Sequence, residues 1–432
     1  MPAPSFPEAS AILCVVLILM VPLAGVGLAL VNAGLVRSRS AAHIMLASLC
    51  VFAVAVIVYV AIGFSWQGAP GGAAHTLIIG GKAWNWIAAE PFFLRGLRLD
   101  FSAASLVLLL QMFSVGLAAM IPLGAGAERW KLGASCGSTI LLAGWIYPLF
   151  AHWVWCDGWL SQLGAQFGLG RGFVDGGGAS TIQVMGGLSA LSMAWMLGPR
   201  RGKYSSEAGS GAIPAHNIVL VLAGCMLAWV GWLGLNSAGA ILFSHSGPSD
   251  VVLIAVNTTL SAAGSALAAL IVTRLRFGRP DASLTANGWM AGLVASSAAA
   301  AFLKPAAALL VGAVAGVLVV YSIDVLEFRL TIDDPGGAIS VHAAAGLWGL
   351  LSVALFTDAG GGSRGQWLAQ LVGIATLLGL ILPMIYGLNW LLNRVYPYRV
   401  DEEGEWQGMD LHELGAGAYP EFVVHSDDFS GR

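Results

Sequence analysis

The chain carries a succession of long apolar stretches, most of them close to the roughly 20 residues that a helix needs to cross a hydrocarbon core. They fall at 9–34, 41–63, 101–123, 133–155, 177–198, 216–236, 250–273, 284–302, 304–327, 338–357 and 367–393. A backbone in lipid must satisfy its own N–H and C=O groups. Each stretch is therefore read as a helix, and the chain as an all-α integral membrane protein with eleven transmembrane helices. Composition agrees, because 57% of the 432 residues are hydrophobic and only 10% are charged. A soluble domain carries about 25% charged residues. The start, MPAPSFPEASAILCVVLILM, lacks a positively charged leader and an A-x-A site, so it is read as the first span.

The distribution of Lys and Arg sets an expected orientation. With the N-terminus outside, the inner loops hold Arg37, Arg39, Arg129, Lys131, Arg200, Arg201, Lys203, Arg274, Arg276, Arg279 and Arg329, and the C-terminal side adds Arg394 and Arg399. The outer loops hold Lys82, Arg95, Arg98, Arg171, Lys304 and Arg364. The excess inside is about two to one, as the positive-inside rule requires. Eleven spans put the termini on opposite sides. A transmembrane domain is thus expected over 1–393, with a cytoplasmic tail over 394–432.

Segments 64–100 and 156–174 are read as outer loops, with Trp66, Trp84, Trp86 and Trp159 as an interfacial belt. The five cysteines are scattered without metal spacing and read as small apolar residues. No cofactor or metal is expected. No basic cluster suggests a nucleic-acid partner, and no nucleophile–base constellation suggests an enzyme.

Two segments match each other. One is Asp175-Gly-Gly-Gly-Ala-Ser-Thr-Ile-Gln183, and the other is Asp334-Pro-Gly-Gly-Ala-Ile-Ser-Val-His342. Each begins with a capping Asp, continues in small residues and sets a polar side chain eight positions on. Eight helical residues rise about 12 Å, close to half of the roughly 30 Å hydrocarbon core. Gln183 and His342 are therefore expected near mid-membrane, reached from opposite sides. That is the mark of an inverted five-helix repeat, 9–198 against 216–357 with 367–393 as an eleventh helix, and of a site at the repeat interface. Polar side chains at that depth are costly unless paired or facing a cavity. A hydrogen bond that merely ties the bundle together is the competing reading.

Several runs resemble the ammonium transporter, methylammonium permease and Rhesus family. PLAGVGLALVNAGLVRSRS, GAGAERW, AHWVW, Asp175-Gly-Gly-Gly, PAHN, GWLGLN, AVNTTLSAA, IDDPGGAISVH and GMDLHELGAGAY follow one another in the family's order and spacing. The resemblance implies the ammonium-transporter fold, a homotrimer in the plasma (inner) membrane with one pore per subunit, and ammonium or ammonia as substrate. It also implies an outer recruitment site, a Phe gate and two histidines lining the lumen. Trp155 matches the recruitment Trp, Asp175 the structural Asp, His342 the second pore His, and Trp232 and Asn236 the W-x-G-x-N run.

Other positions depart from the family. Gln183 stands at the first pore His, Ser114 at the outer gate with Phe113 beside it, Leu235 at the inner gate and Gly239 at the recruitment Ser. Ser296 and Ser297 replace the usual Thr-Pro. Gln does not titrate, so it can hydrogen-bond but cannot relay a proton. The tail keeps Gly408, Asp410, Gly415, Ala418 and Tyr419, while Leu414 and Ala416 depart. In the family the tail couples subunits and helps dock a P-II-type nitrogen regulator. The acidic patch around Asp427 and Asp428 is read as a disordered end, with a contact for another cytoplasmic partner or signalling ligand as the competing reading.

Two functions are compatible with these residues. One is ammonium transport through an altered pore. The other is a sensor or receptor on a transporter scaffold with little or no conduction. The resemblance favours the first, and the clustering of departures at transport positions favours the second.

Overall fold

The computed structural model describes residues 7–204, 213–244, 246–356 and 364–419. Among these, nine helices are long and apolar enough to span a membrane: Glu8–Leu35, Ser38–Gln67, Ala103–Gly126, Leu132–Trp155, Ile218–Phe243, Asp250–Phe277, Pro305–Arg329, Ile339–Phe356 and Gly365–Val395. The two other expected stretches are also helical. The fifth winds over Ala179–Val184 and Met185–Leu197, and the eighth over Ala282–Ser296. Both are largely buried inside the bundle. Helices shielded by protein need neither full length nor an all-apolar surface, because protein groups satisfy their polar atoms.

Small residues let these helices close on one another. A Cβ on Gly27 of the first span would lie 2.5 Å from the Gly224 carbonyl of the sixth. Farther along, Ala24 meets Gly231 in the same way. Membrane helices gain little from the hydrophobic effect between themselves, so such close backbone contact supplies the attraction.

The repeat segments cross in opposite directions. Gly187, four residues beyond Gln183, abuts Ala343. Gly346, four residues beyond His342, abuts Val184 and the Ala179 carbonyl. Each segment enters its helix through a left-handed glycine three residues after its Asp: Gly178 at φ 95° and Gly337 at φ 66°. That backbone conformation favours glycine. Each then opens with a π-helical turn, Ala179–Val184 and Ile339–Ala344, and these two turns carry Gln183 and His342. Such loosened turns are rare and gather at functional sites.

The segment expected as an outer loop over 64–100 contains a β-hairpin, Ala74–Ile79 paired with Lys82–Ala88. Its tryptophans do more than form a belt. Trp86 packs on Trp153 and Trp159, Trp84 packs on Phe167, and Trp153 Nε1 donates to the Trp86 carbonyl at 2.7 Å. This anchors the hairpin over the end of the fourth span.

At the other end of the bundle, charges from four loops are buried together. Arg200 binds Asp333 through Nε at 2.9 Å and Nη2 at 3.0 Å, and Glu128 through Nη1 at 2.6 Å. Arg37 also pairs with Glu128, and Lys203 lies 2.7 Å from Glu327. Arg129 is fully buried and donates to the carbonyls of Ala127, Gly198 and Asp333. Burial by itself raises the Asp333 carboxyl, but Arg129 and Arg200 overcome it and hold the group below the usual carboxylate range. Arg200→Met leaves two buried carboxylates short of their partner and is expected to destabilise the protein by about 3–5 kcal/mol. Thermal unfolding in detergent reads the change. A melting temperature equal to wild type would mean the cluster does not tie these loops.

Candidate functional site

His342 and Gln183 meet inside the bundle, with His342 Nδ1 2.7 Å from Gln183 Oε1. Both side chains are buried, at 2% and 0% exposure. The amide oxygen only accepts, so the imidazole donates from Nδ1 and its Nε2 carries a lone pair. Gln183 Nε2 has no partner among the described residues, and neither do the hydroxyls of Thr181 and Ser340 on the same two turns. The pair thus presents an amide donor, and the tautomer puts an acceptor on the far side of the imidazole. A small polar guest meets both kinds of group here without any full charge.

The Asp that opens each segment is spent on the backbone. Asp175 accepts from the backbone N–H of Gly178, Ala179, Ser180 and Thr181 and from the Ser180 hydroxyl. Asp334 accepts from Ala338 and Ile339. With both oxygens occupied by five donors, the Asp175 carboxylate offsets the half-helix N-terminus and offers little to a passing cation.

A vestibule of about 530 Å³ opens at the Asp175 end. Trp155 is in its wall, held by Nε1 donating 2.7 Å to the Asp175 carbonyl. Phe243 stacks on it with centroids 4.5 Å apart and planes 7° from parallel. Ser244, Asp157, Arg171 and Phe302 complete much of the lining. The Arg171 guanidinium sits 5.4 Å from the Phe302 ring centroid.

The gate positions and Gly239 do not line the vestibule. Ser114 is buried and donates to its own helix at the Leu110 carbonyl, 2.9 Å away. Phe113 stacks on Phe52 of the second span and is not in the vestibule wall. Leu235 lies in the buried core. Gly239 is closed against the chain, since a Cβ there would lie 2.6 Å from the Gly176 carbonyl. Trp232 and Asn236 bind the two serines that replace Thr-Pro. Trp232 Nε1 donates to Ser297 Oγ at 3.1 Å, and Asn236 Nδ2 to Ser296 Oγ at 3.2 Å.

The tail is docked on loops of its own chain. Asp410 accepts from the N–H groups of Ala42, His43 and Ala418. Gly408, at φ 101°, touches Arg39, and Gly415 ends the following turn at φ 72°. The Tyr419 hydroxyl lies 3.1 Å from His216 Nε2. Glu413, in the turn between them, lies 2.8 Å from His43 Nε2 and accepts from the Leu132 N–H at 2.9 Å. The patch around Asp427 and Asp428 lies outside the described residues.

Sequence reasoning missed Phe243 and Ser244. The signal was present, because Phe243 follows Gly239 by one helical turn and so lies on the same face. It also missed Arg171 over Phe302.

A family model described as Ammonium Transporter Family matches residues 11–419. Ammonium transporter Amt2 of Archaeoglobus fulgidus is 35% identical over 415 residues, which cover 92% of this chain and 85% of the relative. The ammonium transporter of Bacillus subtilis is 30% identical over 405 residues, 91% of this chain and 94% of its own length. Among solved structures, one named Sensor Amt Protein superposes with a TM-score of 0.82 at 28% identity, covering 94% of this chain and 98% of that one. Candida albicans Mep2 superposes at 0.80 over 97% of this chain and 92% of its own. At 23% identity that likeness speaks for the fold alone.

Proposed function

The chain belongs to the ammonium transporter family and transports ammonium across a membrane, and we propose that the conduction path runs past the paired side chains of Gln183 and His342. One observation carries this reading. Two antiparallel half-helices bring an amide and an imidazole within 2.7 Å of each other inside a buried core. Ammonia crossing that place donates an N–H to His342 Nε2 and accepts from Gln183 Nε2. Gln183 does not take a proton, so a relay through two imidazoles is not available at this place. A dry apolar path rejects ions of ammonium's size while admitting the neutral molecule.

We place this multi-pass protein in the plasma membrane after the family, and the positive-inside count supports an N-terminus outside and a tail in the cytoplasm. On that orientation the vestibule is the external mouth. We take the working form to be a homotrimer, after the family. A P-II-type regulator or another cytoplasmic ligand is proposed as partner of the tail, supported by the retained Gly408, Asp410, Gly415 and Tyr419.

The test is an ammonium jump on proteoliposomes, with current and ammonia flux recorded together. Flux above protein-free vesicles is expected. Gln183→His, which adds a titratable imidazole beside His342, is expected to raise charge moved per ammonia several-fold. A wild-type protein that binds ammonium but moves none would overturn conduction in favour of a receptor. Identity to named transporters favours the first outcome.

A further inference from the structure

We propose that ammonium is captured on Phe243 and Ser244, one helical turn outward from the position at which the family carries its recruitment hydroxyl. This rests on the transport reading and specifies where capture occurs.

The family position is closed. Gly239 has no hydroxyl, and its Cα lies against Gly176 so tightly that an added Cβ would fall 2.6 Å from a carbonyl oxygen. The ring expected from the third span is replaced by Ser114, whose hydroxyl is used within its own helix. Neither lost group is supplied from the same place.

Both are supplied a turn away. Four residues of helix rise about 6 Å and return to the same face. That step leads from Gly239 to Phe243, the last residue of its helix, with Ser244 immediately after. Both line the vestibule. The Ser244 hydroxyl makes no hydrogen bond to a described residue. It is available to accept an N–H from a cation.

Ring geometry decides which aromatic receives the cation. Trp155 and Phe243 stack at 4.5 Å, so nothing enters between them. Trp155 is only 7% exposed, while Phe243 is the more open of the two. A cation is attracted within about 6 Å of a ring centroid, most strongly when partly desolvated. Phe302 is the other candidate plate, but the chain's own Arg171 already occupies it. The open face of Phe243, backed by Trp155, is the seat that remains. Asp157 in the same wall offsets the positive charge that Arg171 brings to the vestibule.

The test compares Phe243→Leu, Phe243→Tyr and Ser244→Ala in proteoliposome uptake of methylammonium, with folding checked by thermal unfolding. Phe243→Leu is expected to raise KM about tenfold with little change in maximal rate, and Phe243→Tyr to restore it. Ser244→Ala is expected to raise KM a few-fold. Unchanged KM in Phe243→Leu, with a rise in Phe302→Leu instead, would overturn the assignment. Should wild type conduct nothing, methylammonium-dependent thermal stabilisation of the purified protein reads the same comparison. Loss of that stabilisation in Phe243→Leu keeps the capture site although transport fails, and its retention removes the site.

Discussion

His342→Ala is expected to lower ammonium flux by about ten- to a hundredfold while the protein still folds. The factor follows from what the passage offers a guest. His342 supplies the acceptor in the pair, through the Nε2 lone pair that its Nδ1–H bond to Gln183 leaves free. Ammonia arriving without that acceptor leaves water for an unpartnered site, a loss of about 1–3 kcal/mol. The variant also strips Gln183 Oε1 of its donor, so the amide is free to turn across the passage. His342→Gln separates these effects. It restores hydrogen bonding without an imidazole, and partial recovery of flux would assign the loss to the missing acceptor. Flux in His342→Ala equal to wild type would mean that ammonia crosses elsewhere. Stopped-flow measurement of internal pH in proteoliposomes reads each case.

The larger structural effect is expected at Asp175. Asp175→Ala removes the acceptor of five hydrogen bonds at the start of the half-helix that carries Gln183. Four of those donors are backbone N–H groups at a buried helix entrance. A cap alone is worth about 1 kcal/mol, and hydrogen bonds to a charged acceptor about 1.5–3 kcal/mol each. Non-additive loss of the set is expected to cost about 3–5 kcal/mol, enough to lower the yield of monodisperse protein and its melting temperature. Asp175→Asn keeps one carbonyl oxygen and should fall between. The same variant separates structure from recruitment. If Asp175 attracts ammonium directly, Asn would raise KM at unchanged stability. Because both oxygens are already occupied, loss of stability with KM held in the surviving fraction is expected instead.

The membrane architecture was legible because its cause is local and repeated. A stretch of about 20 apolar residues needs no partner to declare itself a span. Among the described residues each of the eleven expected stretches overlaps a helix, although the eighth stops at Ser296, short of its expected end at 302. The pairing of Gln183 with His342 was legible for a related reason. Matching Asp-led segments at equal depth, entered from opposite sides, leave one place where their polar ends can meet. The hairpin over 74–88 was not legible, since its pairing competes with a Gly- and Trp-rich composition that reads as loop. The fate of the gate positions was not legible either. Adjacent residues on a helix face different neighbours, so Phe113 was committed to Phe52 by packing that no spacing reveals.

From its residues alone, this protein's solvent, its span pattern and the meeting of its two central side chains could be read. Hydrophobicity and helical rise act along the chain and need only the order of amino acids. Tertiary structure alone decided that Gly239 would be sealed by Gly176, that Phe243 would cover Trp155, and that Arg200 would join Glu128 to Asp333. Those contacts depend on which helix faces meet across the bundle, and side-chain packing at van der Waals distance selects the neighbours.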